Sequence, residues 1–331
     1  MPVSEPDQAP DRASVDQVSD QAADPAATAP VAEASPAAAP ATPDDPAPAA
    51  ADQGAASGPV APPHPALERA ATQGAVAGPQ TVFEHPLNER VRTFLRLEHL
   101  LEKVEHFAGQ ASPWGTRAAL EALLDVIAIT ARADIKTELI KEIDRNLATL
   151  ARLSNQRGVD PAALQQISVQ LEEAAAGIHA LPGPIGAEAR DDSFLKAVAQ
   201  RSSIPGGACS FDLPFYHHFL MQPESHRRAR LDHWQAGLAP FVAAIRLVLS
   251  LARASARPRQ LVANGGFFQE ALNPQAPAQL VRIGLSAELA VFPEVSGHKN
   301  RFSIRFLQPN GSGRPAQSPA DIAFALTCCV F

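Results

Sequence analysis

The chain has 331 residues, 46% of them hydrophobic, and a formal net charge of −7. It holds no run of about 18 apolar residues and no leader with a basic and then an apolar region, so we expect neither a membrane span nor an export signal. The chain has three cysteines, so they cannot all form disulfides within the chain. Together with the absence of a predicted export signal, this indicates reduced thiols in a cytoplasmic protein.

Residues 1–80 differ in composition from the rest of the chain. They contain no Phe, Trp, Tyr or Ile and a single Leu, so they cannot bury enough apolar surface to offset the entropy lost on ordering. Eleven acidic residues against Arg12 and Arg69 give this segment a net charge of −9, and the whole-chain value of −7 then leaves +2 on the other 251 residues. We predict a disordered, acidic, Ala/Pro-rich tail before a mildly basic folded region.

Helical periodicity dominates the chain from 81 to 256, after a short predicted strand at 81–85. Asn88, Asp134 and Asp160 each precede apolar residues that recur every three or four positions, which is typical of helix N-caps. The helices that begin at Asp134 and Asp160 form a predicted hairpin, whose apolar seams pack either within one chain or across a dimer. Shorter helices are predicted at 191–200, 215–222, 225–234 and 236–254.

From residue 257 the hydrophobic period changes to two, which is typical of strands. The sequence Asn264-Gly265-Gly266 is a hairpin-type turn signal in this part. Strands are predicted at 280–286, 300–307 and 321–329, with one more short strand earlier at 208–211. Helices first and strands last indicate an α+β fold.

The predicted organisation therefore has three parts. Residues 1–80 are the tail, 81–256 form a mainly helical domain, and 257–331 form a mainly antiparallel β domain. About 250 residues are enough to bury a sizeable core in one large domain or two closely packed ones.

The stretch Val295–Phe306 combines a strand pattern with a row of cations. Successive strand residues point to opposite faces, so Phe302, Ile304 and Phe306 should share one face, while Arg301 and Arg305 share the other. The preceding Ser296-Gly297 is a predicted turn, and His298 and Lys299 add two donors at the entry to the strand. The alternative is that these cations are ordinary solvated residues on the solvent-exposed side of an antiparallel sheet.

The predicted strand at 280–286 repeats this alternation and carries Arg282 on one face. If the two strands are neighbours, Arg282 lies beside Arg301 and Arg305 and the three form a cationic sheet face.

Catalytic and metal-binding patterns are weak in this sequence. Four histidines, His217, His218, His226 and His233, lack the spacing of a tetrahedral zinc site, and no nucleophile has an identifiable base. We therefore expect no enzymatic activity, no metal and no cofactor. A nucleic-acid-binding sheet with Phe and Arg on one strand is an alternative, but such a sheet needs exposed aromatic residues, and Phe302 and Phe306 alternate away from the arginines.

Four segments together resemble the family of Z-ring-associated protein D, ZapD. They occur in the family's order from about Thr81 to Cys329, and they are FEHPLNERVRTFLRLEHLL at 83–101, IKTELIKEIDR at 135–145, SIPGGACSFDLP at 203–214 and SGHKNRFSIRF at 296–306. The acidic tail and the final Val330-Phe331 depart from the family's pattern.

This resemblance implies a cytoplasmic, homodimeric cell-division factor that is concentrated at midcell with the division ring. It implies binding to the C-terminal tail of FtsZ, bundling of FtsZ protofilaments, promotion of Z-ring assembly and a lower FtsZ GTPase activity, without membrane or nucleic-acid binding. The positions that match the family's basic pocket are Arg132, His217, Arg301 and Arg305. Lys299 lies in the same motif as Arg301 and Arg305, and Arg96 lies in the first motif, at 83–101.

Overall fold

The computed structural model describes residues 79–132, 134–154, 159–275, 278–298, 301–311 and 313–330. Nearly all of the predicted tail, residues 1–78, lies outside these ranges. Within them the chain runs from one short strand through a series of helices into a series of antiparallel strands. The predicted α+β class is confirmed.

The helices occupy the first part of the described chain, after the strand β1. In chain order they are α1 Glu89–Ala108, α2 Pro113–Arg132, α3 Ile135–Leu153, α4 Pro161–Ala180, α5 Ala187–Asp191, α6 Ser193–Ser202, α7 Pro214–Leu220, α8 Glu224–Ala236 and α9 Ala239–Ala254. The predicted N-caps are confirmed, because side-chain oxygens of Asn88, Asp134 and Asp160 accept backbone N–H groups at 2.9, 3.1 and 2.9 Å.

The strands form two antiparallel sheets. They are β1 Gln80–Pro86, β2 Arg259–Ala263, β3 Phe267–Ala271, β4 Ala278–Ser286, β5 Phe292–His298, β6 Arg301–Gln308, β7 Ala316–Gln317 and β8 Ile322–Val330. The first sheet has the order β1-β4-β8-β2, and the second has the order β3-β6-β5, with β7 paired to one end of β6. The chain passes from the first sheet to the second at the predicted Asn264-Gly265-Gly266 turn.

Two hydrophobic cores share the first sheet. One face of β4, with Val281, Ile283 and Leu285, packs against buried residues of β6 in a core between the sheets. Leu280 and Cys329, from β4 and β8, belong instead to the core formed by the helices. The central strands of the first sheet are therefore buried on both faces, which explains the nearly continuous apolar run in β4.

The long helical hairpin packs within the chain. Leu171 and Ile178 of α4 are fully buried in the helical core, and α4 lies against α3 and α9. These contacts lie within one chain, and packing of the seams across a dimer stays a prediction.

Two local predictions are wrong. Residues 208–211 form turns instead of a strand, because the chain folds back at Gly206, which has φ 75°, and at Gly207, where a Cβ would lie 2.5 Å from the carbonyl oxygen of Arg201. Ser296 and Gly297, predicted as a turn, belong to the edge strand β5. Pro293 hid this strand from the sequence pattern, since proline fits edge strands only.

Helices long and apolar enough to cross a membrane singly are not found in the described ranges. By length and composition alone, α8 and α9 pass as a pair, bent by 66° at the break between them.

Candidate functional site

The strand β6 presents its two arginines on the outer face of the second sheet. Phe302, Ile304 and Phe306 are 0% exposed in the core between the sheets, whereas Arg301 and Arg305 are exposed. The predicted alternation is thus confirmed. Because a strand rises roughly 3.3 Å per residue, the two arginines lie about 13 Å apart along the sheet.

The neighbours of these arginines come from β3 and β5. Arg301 is paired across the sheet with Ala271 and His298, and Arg305 with Phe267 and Glu294. The row between Arg301 and Arg305 on this face consists of three uncharged polar residues, Gln269, Ser303 and Ser296. In the described part of the chain, neither guanidinium makes an ion pair or a hydrogen bond.

Arg282 lies elsewhere, and its predicted place beside Arg301 and Arg305 is wrong. Its strand β4 pairs with β1 and β8 in the first sheet, while β6 belongs to the second. The Nε of Arg282 donates to Glu84 Oε1 at 2.8 Å. Its charge is therefore compensated inside the fold.

Glu84 is the centre of a half-buried network that joins the first sheet to the helices. Besides Arg282, it accepts two hydrogen bonds from Arg253 at 2.8 Å each, and Arg253 also donates to Glu98 of α1 at 2.8 and 2.6 Å. Burial raises the pKa of Glu84, but the hydrogen bonds and charges of the two arginines outweigh it and hold that pKa below 4.5.

The end of the second sheet that carries Arg301 approaches the junction of β1 and α1. A Cβ on Gly297 of β5 would lie 3.1 Å from Leu87 Cδ2 and 3.9 Å from His85 Nε2. This end of the β5–β6 strand pair therefore packs against the junction. Burial, and then the charge of Arg92, lower the pKa of His85. Arg96, one turn further along α1, is exposed.

The junction lies beside the inner face of the second sheet, because Gly297 is opposite the buried Phe302 and a Cβ there would point to the same face as that ring. His85 and Arg92 therefore do not extend the cationic face: the lowered pKa of His85 favours its neutral form, and Arg92 is paired with Glu89.

Arg132 and His217 lie in the helical part. Arg132 is the last residue of α2, and its side chain falls outside the described part of the structure. The adjoining residues line a cavity of about 600 Å³ with two further cations, Lys136 and Arg190. His217 is exposed on α7. No hydrogen bond, ion pair or ring contact between described residues joins His217 to β6, and Lys299 is outside the described ranges.

The arrangement suits electrostatic binding. Two exposed guanidinium groups on one sheet face can donate hydrogen bonds to carboxylates, which arginine binds bidentately through its planar fork. The described residues contain no group of three or more His, Cys, Asp or Glu side chains arranged to hold a metal ion.

These features define a class: an α+β protein whose second sheet exposes two arginines on its outer face. Comparison with known proteins gives the family. Residues 95–305 match the family model of ZapD, described as a cell division protein. A relative named cell division protein ZapD from Methylococcus capsulatus is 42% identical over 251 residues, which are 76% of this chain and 98% of that protein.

Further relatives agree with this match. Proteins of the same name from Aromatoleum aromaticum and Azoarcus are 37% and 36% identical over 247 residues, 75% of this chain and 96% and 98% of theirs. The chain belongs to the ZapD family of cell division proteins, as its four motifs indicated. About a quarter of the chain has no counterpart in these relatives.

Proposed function

We propose that this protein binds the C-terminal tail of FtsZ through the exposed face of β6 and crosslinks FtsZ protofilaments as a homodimer. Such crosslinking would promote Z-ring assembly, lower the GTPase activity of FtsZ and place the protein in the cytoplasm at midcell. The observation that carries the proposal is the pair of guanidinium groups at Arg301 and Arg305, exposed and without a partner in the described structure. No catalytic step and no cofactor enter this mechanism.

The contrast with other arginines supports this assignment. Arg253, Arg259 and Arg282 sit on or beside the sheets too, but each is held by a carboxylate at 2.6–2.8 Å. A binding partner would have to break those ion pairs, so its contacts with these arginines would contribute less to the free energy of binding. Arg301 and Arg305 make no such pair among the described residues, although Glu294 lies across the sheet from Arg305, and Arg96 and Lys299 are further candidates for binding an acidic peptide.

Arg132 and His217 extend the proposed surface into the helical part. A tail peptide that reaches from the sheet to the cavity near Arg132 would meet Lys136 and Arg190 as well. These contacts are secondary in the proposal, because no described contact links that cavity to β6.

Bundling follows from valency. Each tail binds weakly by itself, because a disordered peptide loses entropy when it docks. With two sites on one dimer, the second tail binds at an effective concentration set by the filament that carries it, so avidity rises by about 10²–10⁴. Filaments present many tails, and lateral crosslinks accumulate.

The direct test of FtsZ binding is co-sedimentation with GTP-polymerised FtsZ. The protein should pellet with full-length FtsZ and remain in the supernatant with FtsZ that lacks its C-terminal tail. Pelleting with both would show that the tail is not the binding site.

The test of the site is charge reversal. Arg301→Glu replaces an attraction by a repulsion, and we expect the affinity for a labelled FtsZ tail peptide to fall about thirtyfold or more, which corresponds to about 2 kcal/mol. Arg152→Glu, an exposed arginine near the end of α3, is the matched control and should change the affinity less than about twofold. Normal binding by a folded Arg301→Glu variant would refute the site.

The alternative of nucleic-acid binding has a specific test too. Phe302 and Phe306 are fully buried, but Phe267 lies across the sheet from Arg305 and is 40% exposed, so its ring is accessible to a base on this face. Retardation of single-stranded DNA at physiological salt, together with failure to pellet with FtsZ, would favour this alternative over the crosslinker.

A further inference from the structure

The strand β5 lies at an edge of the second sheet. In the described part of the chain it pairs with β6 alone, and the register between the two strands runs without interruption from Phe292 to His298. One side of β5 therefore has no neighbouring strand among the described residues. We call this side, at residues 293–297, the β5 edge.

The hydrogen bonds of Phe306 show which way the backbone of β5 points. Its N–H donates to the carbonyl oxygen of Gly266 at 2.8 Å, and its carbonyl oxygen accepts from the N–H of Ser318 at 2.9 Å, so both groups of Phe306 point away from β5. In an antiparallel pair, residues that lie opposite each other either bond to each other or both point away. Pro293 is opposite Phe306, so its backbone points away from β6, to the β5 edge.

Backbone direction alternates along a strand, so Val295 and Gly297 point to the β5 edge as well. The N–H groups of these two residues, and the carbonyl groups of Pro293, Val295 and Gly297, have no hydrogen-bond partner among the described residues. Gly297 is exposed and Val295 is half-buried. Such a row of unpaired groups is a template for a further strand.

The inner side of the β5 edge is apolar. Val295 and Leu87 are half-buried, and both pack against the core between the sheets. A Cβ on Gly297 would lie 3.1 Å from Leu87 Cδ2, so the two apolar side chains lie along this edge. An added strand would cover them with apolar side chains of its own.

The outer side of the β5 edge faces the two arginines of β6. Arg301 and Arg305 are exposed, and between them Ser296 of β5 is opposite Ser303. An added strand would lie about 9.5 Å from β6, which is twice the spacing of neighbouring strands. Arginine together with Asp or Glu can bridge that distance over the small Ser296, since long side chains reach beyond their direct neighbours on a sheet.

Glu294 determines where a carboxylate of the added strand belongs. It is exposed and lies opposite Arg305. A carboxylate directly beside Glu294 would be repelled, because like charges side by side on a sheet are destabilising. The favourable place is beside Ser296, between the two arginines.

We propose that the β5 edge binds an acidic peptide as an added strand, with its acidic residues towards the arginines of β6 and its apolar residues against Val295 and Leu87. Backbone hydrogen bonds to an open edge supply affinity in this binding mode, and the alternating side chains supply specificity. The partner that fits this surface is therefore a segment in which acidic and apolar residues alternate. The inference rests on the proposed function in its use of Arg301 and Arg305, and it goes beyond that function by assigning the backbone contacts.

The test is residue-resolved hydrogen exchange of the full chain, with and without a probe peptide of the length of β5 in which Glu alternates with Val. The amides of Val295 and Gly297 should exchange rapidly in the free protein and at least about tenfold more slowly with saturating peptide. Gly266 bonds β6, so the amides of Gln269 and Ala271 point out from β3 at the opposite edge of the sheet. They are the matched control and should not change.

Two changes to the probe peptide test the charge and the strand geometry. A peptide with Lys in place of Glu should bind at least about tenfold more weakly. Methylation of single backbone nitrogens should lower the affinity at every second residue and leave it unchanged at the residues between, because only alternate N–H groups of the peptide face β5. Equal binding of the Lys peptide, or tolerance of methylation at every position, overturns the proposal.

A variant of the protein tests the same edge. Val295→Pro removes one N–H from the β5 edge and leaves both arginines in place, so it should weaken binding of the probe peptide by about tenfold or more. Gln269→Pro makes the same change at the edge of β3, and is the matched control that should bind normally. Equal affinities of the two folded variants contradict the proposal, and the exchange measurement on the wild type decides it where a variant does not fold.

The exchange data can also overturn the proposal directly. Protection of Val295 and Gly297 in the free protein would show that the β5 edge is already covered, for example by a second copy of the chain. Peptide binding that leaves these amides unprotected, or that protects Gln269 and Ala271 instead, places the peptide elsewhere.

The FtsZ tail peptide in the same assay separates this proposal from the proposed function. If it binds and Arg301→Glu abolishes the binding, while the Glu/Val peptide leaves the β5 edge unprotected, the proposed function stands and the inference fails. If the Glu/Val peptide protects Val295 and Gly297 while the FtsZ tail peptide does not bind, the inference stands and the proposed function fails.

Discussion

Glu84 offers a sharp test of how the helices and the first sheet are joined. Its two carboxylate oxygens accept from Arg253 and Arg282, and the side chain is 20% exposed. Replacing it by Gln keeps the size and removes the charge. Arg253 then retains Glu98, while Arg282 is left without its ion pair.

The expected cost follows from the burial of the network. Breaking a fully buried pair costs about 3–5 kcal/mol, and surface pairs contribute about 0–1 kcal/mol. The partners here are 20–30% exposed, so we expect Glu84→Gln to lower the free energy of unfolding by about 2 kcal/mol. For a fold of this size that corresponds to a fall of about 4–8 °C in Tm.

The assay is thermal unfolding followed by circular dichroism at neutral pH. Asp232→Asn breaks an exposed pair with Arg228, whose side chains are 50% and 58% exposed, and should shift Tm by less than about 2 °C. Equal Tm values for the Glu84→Gln and Asp232→Asn variants would refute the reasoning that burial gives this network its strength.

The pH dependence provides a second check on Glu84. Its pKa is lowered in the folded state, so the carboxylate stabilises the fold above the ordinary value of 4.5, and that stabilisation disappears as the pH falls through the lower, folded-state pKa. The Tm difference between wild type and Glu84→Gln should be full at pH 7 and vanish in stronger acid. A difference that persists there would mean that packing, and not charge, causes it.

Three further stability predictions concern single positions. Phe302→Ala should cost about 3 kcal/mol, because the ring is 0% exposed in the core between the sheets, and denaturant unfolding with an unchanged midpoint would contradict this. Gly207→Ala should cost about 1–3 kcal/mol, since its Cβ would meet the Arg201 carbonyl oxygen at 2.5 Å; a neutral effect would show that the turn adapts. Asn88→Ala removes the cap of α1 and should cost about 1 kcal/mol, whereas Asn88→Asp should retain the cap and much of the stability.

Local sequence patterns were sufficient to predict those features that depend only on residues close together in the sequence. The alternation of Arg301 to Phe306 gave the two faces of β6 correctly, because the strand period of two holds whatever the strand pairs with. The caps Asn88, Asp134 and Asp160 were predictable for the same reason, since each side chain bonds a backbone group two or three residues away.

Long-range pairing was beyond those patterns. Arg282 alternates as Arg301 does, yet its partner is Glu84, 198 residues earlier in the chain, and nothing local to either strand specifies that. That no described carboxylate pairs with Arg301 likewise depends on which strands lie beside β6. Phe211 was expected at a strand position, and is instead 84% exposed, because turn closure around Gly206 and Gly207 outweighs its apolar preference.

The position of β1 has a consequence for how the chain folds as it is made. β1 lies at the edge of the first sheet, and its strand partner is β4, with Gln80 opposite Ser286. A ribosome that adds about 5–20 residues per second needs roughly 10–40 s to travel between these strands. During these roughly 10–40 s of synthesis the helices can pack, but β1 has no strand to pair with, because β4 has not yet been made. The sheet closes only when β8, the last strand, leaves the ribosome and fills the place between β4 and β2.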